Sequence, residues 1–292
     1  MYDLLIAPFL EFSFMRRALL GSAAIALGTA PVGVFLMLRR MSLAGDAMAH
    51  GILPGAAIGY LISGLSVSAM TIGGLVAGVA VASMSGLISR ITSLREDTSL
   101  AAFYLISLAL GVLIISAKGS NVDLMNVLFG TVLALDNAAL ILLCSITSFS
   151  TVVLTLFYRP LVMECVDPQF LRTVSGISAI THFVFLMMVV LNLVGGFQAL
   201  GTLMAVGIMI LPSAAARFWV REIGWMIALA VGIAVTSGYV GLLLSYHFSF
   251  ASGPTIILIS GVAYVFSVVF GPVDGVLNLL PSPLTKERET NS

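Results

Sequence analysis

Between Glu222 and Asp274 the chain runs for about 51 residues without an Asp, Glu, Lys or Arg, well beyond the roughly 20 that carry one helix across a bilayer. A soluble domain has no way to surround such a run with polar surface. Similar runs recur, about 44 residues between Arg172 and Arg217, about 39 between His50 and Arg90, and about 21 from Ala18 to Leu38. Hydrophobic residues make up 60% of the chain and charged residues 9%, where soluble domains carry about 25% charge. The expected fold class is an all-α polytopic membrane protein, residues 1–292 forming a single transmembrane domain.

Dividing the runs at their turn signals gives about nine spans. The first is Ala18 to Leu38, and Ser63-Gly64-Leu65-Ser66 separates the second from the third. Thr98 to Ala117 and Asn137 to Tyr158 supply the fourth and fifth. Gly195-Gly196 with Gln198 is the expected break between the sixth and seventh, and Ser252-Gly253-Pro254 that between the eighth and ninth. Residues 1–17 mix apolar side chains with Asp3 and Glu11, as an interfacial segment would. Leu124 to Leu135, bounded by Asp123 and Asp136, has only about 12 residues and is expected to be a re-entrant or interfacial helix. Gly55 with Gly59, and Gly74 with Gly78, put small residues four apart. That spacing lets helices approach closely in lipid, and it is read here as packing within one bundle.

The basic residues orient the chain. Arg39, Arg40, Arg90, Arg95, Arg159, Arg172, Arg217, Arg221, Lys286 and Arg288 fall on one side of this arrangement, and Arg16, Arg17 and Lys118 on the other. The richer side is the cytoplasmic one. The expectation is therefore a bacterial cytoplasmic (inner) membrane protein with a cytoplasmic tail, residues 275–292, and an extracytoplasmic N-terminus. Arg16 and Arg17 run against it and leave an eight-span arrangement open.

Within this apolar chain, Asp46 and His50 are a carboxylate and an imidazole flanked on both sides by long apolar runs. Four residues apart, they share one helix face about one turn apart. Ionisable groups at membrane depth are costly and face a cavity or pathway rather than lipid. Pro54 lies four residues beyond His50 and would deprive the His50 carbonyl of its helical partner. A carboxylate oxygen, an imidazole nitrogen and a freed carbonyl suit a divalent ion such as zinc or manganese. The competing reading makes Asp46 the N-cap of the helix that holds His50, with His50 hydrogen-bonded inside the bundle. His182 and His247 read as packing residues, Met41 and Met48 as core filler, and Asp123 and Asp136 as solvated ends of their segment.

Other chemistries are excluded by what is missing. No phosphate-binding Gly-x-x-x-x-Gly-Lys-Ser/Thr loop exists, so ATP-driven transport would need another chain to hold the nucleotide. His-Glu-x-x-His is absent, which argues against an intramembrane metalloenzyme. Cys144 and Cys165 form no disulfide or metal pattern, and a net charge of +0 gives no footing for nucleic acid. The longest charged insertion, residues 158–176, contains Asp167 as the cap of a short helix, Pro168 at its first position, Arg172, and Gly176 as a breaker. Such a capped helix suits a docking knob, and a solvated connector is the equal alternative.

Three stretches resemble the membrane subunits of bacterial zinc, manganese and iron ABC importers. They are Leu38 to Gly55 (LRRMSLAGDAMAHGILPG), Asp123 to Thr131 (DLMNVLFGT) and Gly201 to Arg217 (GTLMAVGIMILPSAAAR), and the likeness extends over nearly the whole chain. The resemblance implies a type II, vitamin B12/metal-chelate importer-like permease fold with broken helices. It implies a homodimer that binds an ATP-binding cassette ATPase and receives metal from an extracytoplasmic metal-binding protein. No cofactor is bound permanently, the cargo being Zn2+ or Mn2+ or else Fe2+. It further implies that Asp46 and His50 contact the ion, and that Asp167, Pro168, Arg172 and Gly176 belong to the coupling helix that docks on the ATPase. The alternative is an ion-gradient-driven metal transporter or channel using the same pair, which should show paired broken helices in an inverted repeat.

Overall fold

The computed structural model describes residues 6–64, 66–92, 96–117, 135–167, 170–171, 173 and 176–279. Its helices are α1 (Ala7–Glu11), α2 (Ser13–Leu38), α3 (Ser42–Gly51), α4 (Leu53–Ser63), α5 (Val67–Ile91), α6 (Glu96–Ala117), α7 (Asn137–Val166), α8 (Ser178–Leu200), α9 (Thr202–Arg217), α10 (Ile223–Phe248), α11 (Ser252–Phe270) and α12 (Val276–Leu279). No strand occurs among the described residues. The all-α fold expected from the uncharged runs is the one observed.

Among the described residues seven helices are long and apolar enough to cross a bilayer: most or all of α2, α5, α6, α7, α8, α10 and α11. The remaining two expected spans are accounted for differently. α9 has 16 residues, about 24 Å at 1.5 Å per residue, short of a bilayer core of about 30 Å. The second expected span is the interrupted pair α3–α4, broken at Ile52 because Pro54 sits in the first turn of α4. The expected break at Gly195-Gly196 is also displaced. α8 continues through both glycines to Leu200, and the chain turns at Gly201, whose φ of 88° lies in the left-handed region. Gly195 and Gly196 serve close packing instead, a Cβ on them meeting Ile146 at 2.7 Å and Ala205 at 2.6 Å respectively. Likewise α10 runs to Phe248 before its turn, and α11 begins at Ser252. The expected re-entrant segment lies outside the described residues from 124 to 134, and Arg16 and Arg17 fall in the first turns of α2.

α2 is the axial element, packed against α7, α8, α9 and α10, with Ala26, Ala30, Val32, Val34 and Phe35 fully buried. Apolar surface gains little by leaving lipid for protein, so contact here depends on shape and on internal hydrogen bonds. Small residues supply the first: a Cβ on Gly33 would run into the Met209 carbonyl. Hydroxyls supply the second. Ser213 Oγ donates to Ala30 O (2.9 Å) and Thr147 Oγ1 to Ala24 O (2.9 Å), while Asn192 Nδ2 donates to Ser150 Oγ (2.8 Å). The α4–α5 hairpin follows the same rule, Gly55 lying against Gly73 and Gly59 against Ala69. The Gly55–Gly59 spacing is thus intrachain packing, in agreement with the expectation from sequence.

Gly55→Val should therefore wedge the hairpin apart at backbone contacts that have nowhere to move, costing at least the roughly 1–3 kcal/mol typical of overpacking. Gly232→Val, at a position with no atom within 4 Å of the added Cβ, is the matched control. Monodisperse protein recovered in detergent and its thermal midpoint should fall for the first variant and stay unchanged for the second.

Candidate metal site

α3 is a peg of 10 residues set off by short joints at either end. Arg40 enters it with φ 59° and Ile52 leaves it. α2, α5, α6, α8 and α9 surround the peg, and Ala44, Gly45, Ala47, Met48, Ala49 and Gly51 are buried against them. One stripe remains open: Leu43, Asp46 and, partly, His50, the i, i+3, i+7 positions of one helix face. The Asp46 side chain is 61% exposed and that of His50 26%.

His50 Nε2 stands 3.8 Å from Asp46 Oδ1, too far for a hydrogen bond between them. His50 Nδ1 is buried with no hydrogen-bond partner among the described residues, and the ring lies 6.2 Å, centroid to centroid, from that of Tyr104 on α6. The competing reading of this pair fails on both counts. Met41, not Asp46, is the N-cap of α3, and His50 is not hydrogen-bonded into the bundle among those residues. The freed carbonyl is also placed differently. Ile52 N–H is shared between the Met48 and His50 carbonyls, and the Gly51 carbonyl accepts from Ser107 Oγ at 2.8 Å. The break is thereby satisfied from within, and a carboxylate and an imidazole remain for an ion.

The other residues singled out in the sequence separate clearly. Met41 and Met48 are buried core residues, 5% and 1% exposed. Asp136 caps α7, its Oδ1 accepting from Ala139 N at 2.7 Å, and Asp123 lies outside the described residues. His247 is exposed near the end of α10 beside Tyr246. His182 faces Arg39 and Glu96 rather than the Asp46 pair. Cys144 and Cys165 are free. In the charged insertion, Asp167 caps the turn that follows α7, its Oδ1 accepting from Phe170 N at 2.9 Å, and Gly176 takes φ 56° before α8. Pro168 and Arg172 lie outside the described residues.

No group of three or more His, Cys, Asp or Glu side chains that could hold a metal occurs among the described residues. The Asp46 carboxylate and the His50 imidazole on the open stripe would supply at most two of the four ligands that a closed zinc site takes.

Fold and site together define a polytopic helical membrane permease, with an interrupted helix presenting ionisable donors at an open face. The chain belongs to the ABC 3 transport family, which it matches over residues 11–271. It is 30% identical over 269 residues to the "Manganese transport system membrane protein MntC" of Halalkalibacterium halodurans, covering 92% of this chain and 91% of that protein. It is 28% identical over 274 residues to the "Probable iron transport system membrane protein" of Haemophilus influenzae, covering 94% of this chain and 99% of the relative. The solved "PsaBC from Streptococcus pneumoniae in complex with Fab" superposes with a TM-score of 0.84 at 27% identity, covering 96% of this chain and 100% of the matched one.

Asp46→Asn removes the charge while preserving size, and among the described residues no hydrogen bond of the bundle depends on it. The variant should insert and fold as the parent does while losing metal affinity at least on the order of 10–100-fold, the loss seen even for outer-shell partners of metal sites. Parallel measurement of thermal midpoint and of metal binding by the purified chain checks both halves.

Proposed function

We propose that this chain is the permease subunit of an ATP-driven importer that carries a divalent transition metal ion across the bacterial cytoplasmic membrane, with Asp46 and His50 contacting the ion in transit. The observation that carries the reading is the open stripe of α3, where the exposed Asp46 carboxylate lies one turn from a half-buried imidazole whose Nδ1 has no partner among the described residues. An oxygen–nitrogen donor pair suits manganese, iron(II) and zinc and is too hard for copper(I), the more so because Met41 and Met48 are buried away from the open face. Manganese and iron in the names of the two relatives narrow the cargo toward those ions.

Two donors per chain favour a homodimer in which the α3 stripes of two copies face one another across a shared path, giving four. A two-fold dimer is the commonest symmetric assembly, and the stripe is the uncovered side of an otherwise enclosed helix. The lack of a phosphate-binding loop in this chain supports assigning ATP hydrolysis to a partner ATPase. The capped turn between α7 and α8, with Asp167, Pro168, Arg172 and Gly176, is its docking element, and metal arrives from an extracytoplasmic binding protein. The excess of basic residues supports a cytoplasmic position for the α2 C-terminus, the α7–α8 connection and the chain's C-terminus. A gradient-driven transporter is less well supported. The second break, at Gly201, has no ionisable residue between Leu193 and Pro212 to match the Asp46 pair.

Reconstitution with the ATPase and binding protein tests this. Metal-stimulated ATP hydrolysis should be present in the parent with manganese or iron(II) and absent in His50→Ala, while Asp167→Ala should weaken retention of the ATPase without changing metal binding. Metal flux through proteoliposomes lacking any ATPase would favour the gradient-driven alternative.

A further inference from the structure

A cluster of buried charge lies at the end of the bundle where α2 finishes, away from the open stripe. Arg39, the C-cap of α2, points its guanidinium into the space between α7 and α8. Its Nη2 donates to His182 Nδ1 at 2.6 Å and lies 3.8 Å from Glu164 Oε1, and the group sits 4.9 Å from the centre of the Phe185 ring. Arginine has only donors, so His182 Nδ1 must accept and the ring proton sits on Nε2. That nitrogen faces Glu96 Oε1 at 2.8 Å. Ser178 Oγ completes the cluster by donating to Glu164 Oε1 at 3.1 Å. The side chains of Arg39, Glu164 and His182 are 10%, 3% and 9% exposed.

Buried ion pairs are weak evidence for stability, because desolvation offsets much of their attraction. What sets this cluster apart is its place in the chain. Glu164 lies in the last turn of α7, just before Asp167, and Ser178 opens α8, just after Gly176. Their hydrogen bond closes the base of the 167–176 turn. Arg39 touches both stems of that turn and is joined through Arg40 and Met41 alone to α3, which carries Asp46 and His50. The Arg39–Glu164 separation of 3.8 Å exceeds the roughly 2.7–2.9 Å of a charge-assisted hydrogen bond. Arg39 Nη1 and Glu164 Oε2 are both buried without partners among the described residues, so a second, tighter pairing is open to the same two side chains.

We propose that the Arg39–Glu164–His182 clasp is the transmission element that converts movement of the 167–176 turn into movement of α3. Arg39 acts as a positioning residue in metal release rather than as a ligand. The proposal rests on the reading of that turn as the ATPase docking element. Displacing the turn shifts the ends of α7 and α8 against each other and re-pairs the guanidinium, and the short Arg40–Met41 joint passes the shift to the start of α3. An element with two discrete pairings, biased from both ends, is the physical requirement for coupling distant sites.

The test uses the permease reconstituted with its ATPase and binding protein, and the neutral double variant Arg39→Met/Glu164→Gln, which leaves no unpaired buried charge and retains an acceptor for Ser178. Expected are parental insertion, manganese binding and ATPase retention, with metal uptake per ATP reduced by about 5- to 150-fold, the range of allosteric coupling. Each single variant should lose the same coupling, and the reversed pair Arg39→Glu/Glu164→Arg should not restore it, because His182 Nδ1 would lose its donor. A coupled double variant in a background where Asp167→Ala does weaken ATPase retention overturns the clasp and leaves the docking reading standing. An uncoupled double variant where Asp167→Ala changes nothing removes the docking reading and, with it, the proposal that the clasp transmits from that turn. A double variant that fails to insert or to bind manganese shows the cluster to be a structural staple and overturns the proposal.

Discussion

A break in a helix exposes backbone groups that lipid cannot satisfy, and the rest of this fold is arranged around how one such break is paired. Pro54 stops α3 from running into α4. The Gly51 carbonyl beside the break would be orphaned at membrane depth, where each unmet group costs several kcal/mol. Ser107 from α6 meets it, and Gly111, one turn further along α6, allows the close approach, since a Cβ there would stand 3.2 Å from Pro54 N. One polar contact thus allows α3 to end in mid-bundle. Only because it ends there can it turn an ionisable pair toward an open side while its remaining faces stay packed.

The packing elsewhere serves the same end by fixing what surrounds the peg. α2 is locked to α9 through Gly33 and Ser213, and to α7 through Thr147. α4 is locked to α5 by glycines in backbone contact. These contacts depend on shape and on internal hydrogen bonds rather than on a hydrophobic gradient, which lipid removes. The apolar residues on the outer faces, such as Ile62, Leu156 and Leu258, are exposed because the membrane is their solvent.

The sequence made the membrane class, most span ends and the Asp46–His50 pair legible, because charge is scarce enough here for each instance to be informative. It misled at Gly195-Gly196, where glycine suggests a breaker and serves as a packing surface; the turn belongs to Gly201, whose backbone conformation no composition rule reveals. It placed a bare carbonyl at His50, whereas in the structure that carbonyl shares the Ile52 N–H with Met48's, and the neighbouring Gly51 carbonyl is paired by Ser107 from another helix. The clasp of Arg39, Glu96, Glu164 and His182 was not legible, since Arg39 and His182 are 143 residues apart. The turn after α7 was legible in part, Asp167 taking the capping role expected of it.

The stiffness of α3 has a further consequence. With the Asp46 carboxylate and the His50 imidazole on one uninterrupted helical turn, their spread is set by the pitch of the helix and by two side-chain rotamers, so an ion held by both would meet a nearly fixed bite. A fixed bite of one oxygen and one nitrogen distinguishes poorly among ions of similar radius, for which affinity follows the general order of the divalent series. Selectivity then has to reside in the donors that complete the sphere from outside this helix, or in whatever hands the ion over. A pair of this kind would sort ions by charge and hardness and very little by identity.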